Sequence, residues 1–414
     1  MEKTKKYLVF ADDITGSNDT GVQLKRRGID TVVTLSDKTV GTKDCDCSYV
    51  LDTESRPLST ADAYNITKNA ASNIDLSNFD HIIKKVDSTL RGNIAHEILA
   101  LDEIYQPELI IFLPAFPDMQ RTTVDGTHLL NGVPISQTEI AKDPITPVKE
   151  DNLRTLLSKV YSPAQITEIT INHIEQENID LLKGKIYTCD STTTKHMSDI
   201  VKKAISTNKK TLWVGSAAIV DVLCEQDIPQ YPALALVASL SNITKQQVEY
   251  ATEKGVATVV VPTPTLLTNP DPNQVVTAAL ELLKNNQDVI VVSSASLDRA
   301  ELGATLANGA SQGLSPTDVR SIIQQQMGSI LHSIMSQHGQ GNISGIFMTG
   351  GDTSMGFMNE VGATGLDISA EVLVGIPMMH LVGGKYDGIK VITKAGAFGS
   401  ADALHFCLRK LKER

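Results

Sequence analysis

Short β-branched apolar runs recur along this chain. Each is broken by a polar turn and followed by a helical pattern, and that rhythm leaves few folds open. Tyr7–Phe10, Thr31–Leu35, Tyr49–Thr53, His81–Val86 and Leu109–Leu113 are the first such runs. Between them, helices are predicted from Val22 to Gly28, over 60–73 and from Gly92, where Ile94/Ile98 and Ala95/Leu99 repeat at i, i+4. Strands alternating with helices at this spacing specify βαβ units and a parallel sheet. In such a sheet the carboxyl ends of the strands share one edge, and ligands bind there.

The polar residues fall on that edge. Asp12 and Asp13 follow the first run, in a polar stretch read as a loop before the helix, and Arg56 follows the third. Lys85, Asp87, Ser88, Thr89 and Arg91 occupy the break after His81–Val86. A cation, a carboxylate and hydroxyls in one turn can grip and deprotonate a small polyhydroxy acid. The competing explanation is an Asp/Ser helix cap with solvated basic neighbours. Adjacent carboxylates behind a buried strand cost stability unless they are paired or used, which favours function at Asp12-Asp13. Residues 118–150 carry turn formers and little periodicity, so they read as a long loop, functional or disordered. Within it, His128 reads as a satisfied surface histidine rather than an acid–base group.

Pro232 marks a boundary, which divides the chain into 1–232 and 233–414 and agrees with a length of 414 residues, too long for one ordinary domain. The pattern then restarts, with strands predicted at Ala233–Val237, Thr258–Val261, Asp288–Val292, Gly345–Thr349 and Ile389–Thr393. Gly/Ser turns at 238–242, 349–356 and 394–400 follow the first, fourth and fifth of these. Glycines let backbone amides approach phosphates, and a following helix N-terminus favours anions. Neither GxxxxGK[ST] nor GxGxxG is present, so no standard nucleotide fingerprint applies.

Bulk properties exclude other classes. A net charge of −11 without a basic stripe argues against nucleic acid and anionic membranes as partners. No apolar run approaches the ~18 residues of a transmembrane helix. The apolar run after MEKTKK is too short for a signal peptide, so a cytoplasmic location is expected. The five cysteines (45, 47, 189, 224, 407) lack zinc-site spacing and are expected to be free thiols.

Eight segments together resemble the four-carbon acid sugar kinases. They are ADDITGSNDTG (11–21), DTESR (52–56), KKVDSTLRGN (84–93), LPAFPDMQRTTVDGTHLLNGVPI (113–135), DPITPV (143–148), Ala-Ser-Leu-Ser (238–241), TGGDTS (349–354) and KAGAFG (394–399). The resemblance implies an α/β chain of two domains, each a mostly parallel sheet flanked by helices, with the active site in the cleft between them. It implies sugar-acid binding by Asp12, Asp13, Arg56, Lys85, Val86, Asp87 and Ser88, to which Arg91 is added from the same turn. It implies ATP binding by Ser239, Gly350, Gly351, Asp352, Thr353, Ser354 and Gly399, with Gly396 added from the last turn. Mg²⁺ is the expected ion, and Asp352 its indirect ligand. The chain departs from the family at Ala238, Asp352, Ala395 and Ala397, where the family often carries Gly, Glu, Ser and Asn.

The function implied is ATP-dependent phosphorylation of the terminal 4-hydroxyl of a four-carbon sugar acid, D-threonate or D-erythronate. Substrate alternatives are 3-oxo-tetronate and L-threonate. Asp87 is favoured as proton acceptor, because Lys85 would keep it ionised, with Asp12 and Asp13 as the other candidates. A dinucleotide-dependent dehydrogenase or epimerase is disfavoured by the missing GxGxxG. A non-catalytic sugar-acid sensor is the alternative of another class, against which the intact Asp12, Asp13 and Asp87 argue. A homodimer is compatible with the chain.

Overall fold

The apolar runs form strands whose side chains are buried on both faces of a sheet. The computed structural model describes residues 5–41, 47–267 and 272–413. The chain divides into two units, 1–229 and 230–414.

The first unit contains β1 (Tyr7–Ala11), β2 (Thr31–Thr34), β3 (Ser48–Asp52), β4 (His81–Lys85), β5 (Leu109–Leu113), β6 (Arg121–Val124), β7 (Thr127–Leu130), β8 (Val133–Pro134), β9 (Ile166–Ile169), β10 (Ile186–Cys189) and β11 (Thr211–Gly215). Eight of these make a parallel sheet in the order β2-β3-β1-β4-β11-β5-β10-β9. Alternation along β1 sends Tyr7, Val9 and Ala11 into a core with helices Ile14–Arg26, Thr194–Ser206 and Ala217–Asp227. Leu8 and Phe10 enter the opposite core, with helices Thr60–Ser72 and Ile94–Tyr105. The strand order reverses between β1 and β4, and the helices that follow these two strands cover opposite faces. That reversal opens a crevice at their carboxyl ends.

The second unit repeats the device with β12 (Ala233–Val237), β13 (Ala257–Val261), β14 (Val289–Ser293), β15 (Gly345–Thr349), β16 (Gly365–Leu373), β17 (Ile376–Val382) and β18 (Lys390–Lys394). The order is β13-β14-β12-β15-β18-β17-β16. The first five are mutually parallel, and β17 and β16 add an antiparallel edge. Here the order reverses between β12 and β15.

Several expectations are corrected. Residues 118–150 are not a plain loop, because β6, β7 and β8 form an antiparallel sheet. Asp125-Gly126 and Asn131-Gly132 make its turns, all four residues having positive φ, as tight two-residue hairpins require. The first helix starts at Ile14, not Val22, since Asp13 caps it by accepting from the Gly16 amide. Its glycines are there for packing: a Cβ at Gly16 would lie 2.9 Å from Lys85 Nζ, and one at Gly21 3.0 Å from Val33. The helix expected from Gly92 begins at Ile94, Gly92 having φ +98°. Cys189, Cys224 and Cys407 are free and buried, whereas Cys47 is disulfide-bonded, against the expectation of free thiols; Cys45 lies outside the described residues. Among the described residues no helix is long and apolar enough to cross a membrane.

Candidate active site

In the first unit, charged side chains gather where β1, β3 and β4 end. Arg56 bridges two carboxylates: Nε and Nη2 donate to Asp12 at 2.8 and 2.9 Å, and Nη2 donates to Asp13 Oδ1 at 2.6 Å. Gly92 makes room for this, since a Cβ there would lie 3.0 Å from Asp12 Oδ2. Asp87 lies 4.0 Å from the same guanidinium. It accepts from Arg91 Nε at 2.8 Å and Nη2 at 3.1 Å, and from the Thr89 hydroxyl. Burial alone would raise the Asp87 carboxyl, but the bonds from Arg91 and Thr89 and the charge of Arg56 hold it well below the usual carboxylate range.

Lys85 is 4% exposed, and its Nζ donates to the Val86 carbonyl at 2.9 Å. An ammonium has three donors, so one recorded partner leaves room for a ligand. Burial lowers the Lys85 pKa, which Asp12 and Asp87 oppose. The Val86 side chain is wholly buried, so only its backbone can serve a ligand. The Ser88 carbonyl accepts from His128 Nε2 at 2.9 Å, while His128 Nδ1 meets Thr123 Oγ1 at 2.9 Å. His128 is fully buried, against the expectation of a surface position, and burial pushes it down to about 4, so it stays neutral and braces the turn from the β6–β7 hairpin. Two non-glycine residues of the site loops adopt left-handed backbone, Glu54 (φ 47°) and Leu90 (φ 61°). Such torsions persist where the surroundings over-determine them, commonly at functional sites.

Two further features had no sequence signal of their own. Lys84, next to Lys85 but on the opposite face, makes an ion pair with Glu97 in which each side chain is 1% exposed. Asp52 ends β3 on the same face as Lys85. Its Oδ1 accepts from the Glu54 amide at 3.0 Å, while Oδ2 is buried with no hydrogen-bond partner. Burial pushes the Asp52 carboxyl up to about 6.

In the second unit the three Gly/Ser turns converge, because β12, β15 and β18 are neighbours. The Gly350 amide donates to the Lys394 carbonyl at 3.1 Å, and Thr244 Oγ1 to the Gly396 carbonyl at 2.9 Å. Gly396 lies so close to Ser239 that a Cβ would come within 2.2 Å of its Oγ. A cavity of about 520 Å³ opens beside these turns, lined by Ser239, Gly350, Asp352 and Thr353. Its remaining wall includes Leu302, Leu306, Val319 and Ile323 from helices Arg299–Ser311 and Pro316–His338. An apolar slot beside polar, glycine-rich turns suits a flat heterocycle carrying phosphates.

Not every expected nucleotide residue lines that cavity. Ser354 lies one helical turn in and returns its hydroxyl to the Gly350 carbonyl at 3.1 Å. Gly399 has φ +81°, and a Cβ there would meet Ala403 at 2.7 Å, so its own backbone and packing require glycine. Gly351 differs: a Cβ there meets nothing within 4 Å.

Comparison with known proteins agrees with this division. A family described as a sugar-binding N-terminal domain matches residues 7–223, and one described as a nucleotide-binding C-terminal domain matches 234–404. A D-threonate kinase from Salmonella typhimurium is 31% identical over 97% of this chain and 98% of its own length. The chain belongs to the four-carbon acid sugar kinase family. A D-erythronate kinase from Heliobacterium modesticaldum is 26% identical, covering 97% of this kinase and 96% of its own chain. The fold is shared with a Bordetella bronchiseptica domain of unknown function, solved with bound citrate as a domain-swapped dimer: TM-score 0.67, 24% identity, 99% of each chain covered.

For metal, the described residues of this kinase contain no group of three or more His, Cys, Asp or Glu able to hold an ion. Asp352, in the first turn of helix Gly351–Val361, pairs with Arg320. The Ser315-Pro316 start of helix Pro316–His338 is legible in the sequence, but Arg320, helix Arg299–Ser311 and the lining role of both helices are not, since Val319 and Ile323 show only the i, i+4 spacing common to any packed helix.

Proposed function

We propose that this chain transfers the terminal phosphoryl group of ATP to the 4-hydroxyl of D-threonate or D-erythronate, with residues 1–232 binding the acid and 233–414 the nucleotide. The observation that carries the reading is the crowding of Arg56, Lys85 and Arg91 against Asp12, Asp13 and Asp87 at the strand reversal of the first unit. Lys85 is the natural anchor for the substrate carboxylate, since Arg56 and Arg91 are already engaged by carboxylates of the chain.

The hydrogen bonding favours a different proton acceptor from the one preferred on sequence grounds. Asp87, tied to Arg91 and Thr89, is a weak base. Asp12 is held in both oxygens by Arg56. Asp13 uses Oδ1 for Gly16 and Arg56, and Oδ2 has no partner among the described residues. We therefore assign Asp13 as the acceptor of the hydroxyl proton, and Asp12 and Asp87 as groups that hold the cations in place. Phosphoryl transfer draws its rate chiefly from positioning and charge neutralisation, so a modest base suffices. Mg²⁺ would be held mainly by phosphates and water, its usual environment, with Asp352 as an indirect contact. A cytoplasmic homodimer completes the reading, the Bordetella relative being described as a domain-swapped dimer.

The test is an ADP-release assay over D- and L-threonate, D- and L-erythronate and 3-oxo-tetronates. D-threonate or D-erythronate should give the highest kcat/KM, and product analysis should find the phosphate on the 4-oxygen. Binding of an acid without ADP release would replace the kinase with a sensor.

A further inference from the structure

Between β18 and the helix Ala403–Leu411, five of the six carbonyls of residues 395–400 are gathered by three side chains from behind. Lys394 Nζ donates to the carbonyls of Ala395 at 2.9 Å and Gly396 at 3.1 Å. Thr244 Oγ1 also reaches Gly396. The two N–H groups of Gln247 Nε2 are shared among the carbonyls of Phe398, Gly399 and Ser400, at 3.0, 3.3 and 2.8 Å. Three carbonyls around one side-chain amide leave its orientation in no doubt, because only the NH₂ end can face them.

All peptide bonds here are trans. In a trans peptide the N–H of a residue points opposite to the preceding C=O. Five captured carbonyls therefore turn five amides, those of Gly396, Ala397, Gly399, Ser400 and Ala401, away from Lys394, Thr244 and Gln247. None of these amides has an acceptor among the described residues. Amides turned outward in this way, with no such acceptor, are donors open to an anion. The loop abuts Ser239, which lines the 520 Å³ cavity.

Gln247 and Lys394 are 1% and 3% exposed. Gln247 Oε1 is buried without a partner. A glutamine kept only for packing would satisfy both ends; this one satisfies the end that faces the loop. Behind the loop, burial brings Lys394 down to about 8.

We infer that Gln247 and Lys394 are positioning residues that aim the 396–401 amides at the phosphate groups of the bound nucleotide. This rests on the nucleotide reading above and adds Gln247, which no glycine motif contains, and a role for Lys394, the first residue of KAGAFG. The anion need not come from a nucleotide, so the test separates sources. The full chain is titrated by calorimetry with MgADP, adenosine and pyrophosphate, as wild type and as Gln247→Met, Lys394→Met and Lys394→Arg.

MgADP affinity should fall at least about tenfold in both Met variants, while adenosine affinity stays within about twofold and Lys394→Arg recovers most of the loss. A change in adenosine affinity as large as that in MgADP, in variants that melt like wild type, overturns the inference. So does loss of native melting in both Met variants, which would make the two residues structural. A wild type that binds pyrophosphate but no adenosine or MgADP keeps the anion cradle and removes the nucleotide from it. A wild type that binds none of the three overturns both readings.

Discussion

The two units place their candidate ligand sites at the same topological position but build them from opposite materials. Each reverses strand order beside its first strand, at β1/β4 and at β12/β15. In the first crevice the chain supplies charged side chains, several of them buried and mutually paired. In the second it supplies glycines, hydroxyls and an apolar wall, and the proposed donors there are backbone amides. A small hydroxy acid offers charges and hydroxyls that must be matched individually, and side chains can do that. A nucleotide offers a phosphate chain and a flat ring, which amides and an apolar slot accept. The first unit should therefore be sensitive to isosteric loss of charge, and the second to added methyl groups.

The largest effect expected is at Asp13. Asp13→Asn keeps the shape but cannot take a proton, and kcat should fall roughly 10²–10⁴-fold with a smaller change in sugar-acid KM. Asp87→Asn should act mainly on KM. Steady-state kinetics at saturating ATP decide between them, and the reverse pattern would return the base to Asp87. Next is Arg56→Ala, which leaves Asp12 and Asp13 facing each other without their cation. Sugar-acid KM should rise roughly 10²-fold, in line with the loss of one partner of a buried charge pair, while MgADP affinity by calorimetry is unchanged. A matching loss of nucleotide affinity would show that the two crevices are not independent.

Gly351→Ala probes the second crevice with a single methyl group. Because that methyl meets no atom within 4 Å beyond its own stretch of helix, melting temperature should hold, and ATP KM should rise about tenfold, or about 1.4 kcal/mol. Unchanged ATP KM would place the phosphates elsewhere. Gly399 cannot serve for this test, since its φ of +81° and the Ala403 contact would disturb the fold first.

The smallest effect expected concerns Asp52, the buried carboxyl with an orphaned oxygen. Its pKa is raised from the ordinary value to about 6. The folded state therefore keeps this proton where the unfolded state has lost it. That contribution to stability is full below about pH 4 and is lost as pH rises through 6. Asp52→Asn should match wild type at pH 4 and exceed it by on the order of 1 kcal/mol at pH 8, read from urea midpoints. An equal difference at both pH values would show that Asp52 does not titrate in this range.

The alternation of runs and turns was enough to place β1, β3, β4, β5, β12, β14 and β15 within a residue or two, because strand and helix periods and glycine breaks act over a few residues. The Asp125-Gly126 and Asn131-Gly132 turns were legible in the same way, and reading 118–150 as a loop overlooked them. What the sequence could not determine is which groups meet. Arg56 finds Asp12 across 44 residues, Lys394 and Gly396 are stitched to turns tens to hundreds of residues away, and His128 reaches Ser88 from a hairpin. Whether an aspartate is a free base or a bound partner depends on such distant donors, since two or three hydrogen bonds are enough to move a carboxylate by several pKa units. Residue types and spacings named the chemistry of each crevice. Only the packing of the sheets decided that Asp13 keeps an open oxygen, that Asp52 is left without a partner, and that Gln247 stands behind the glycine loop.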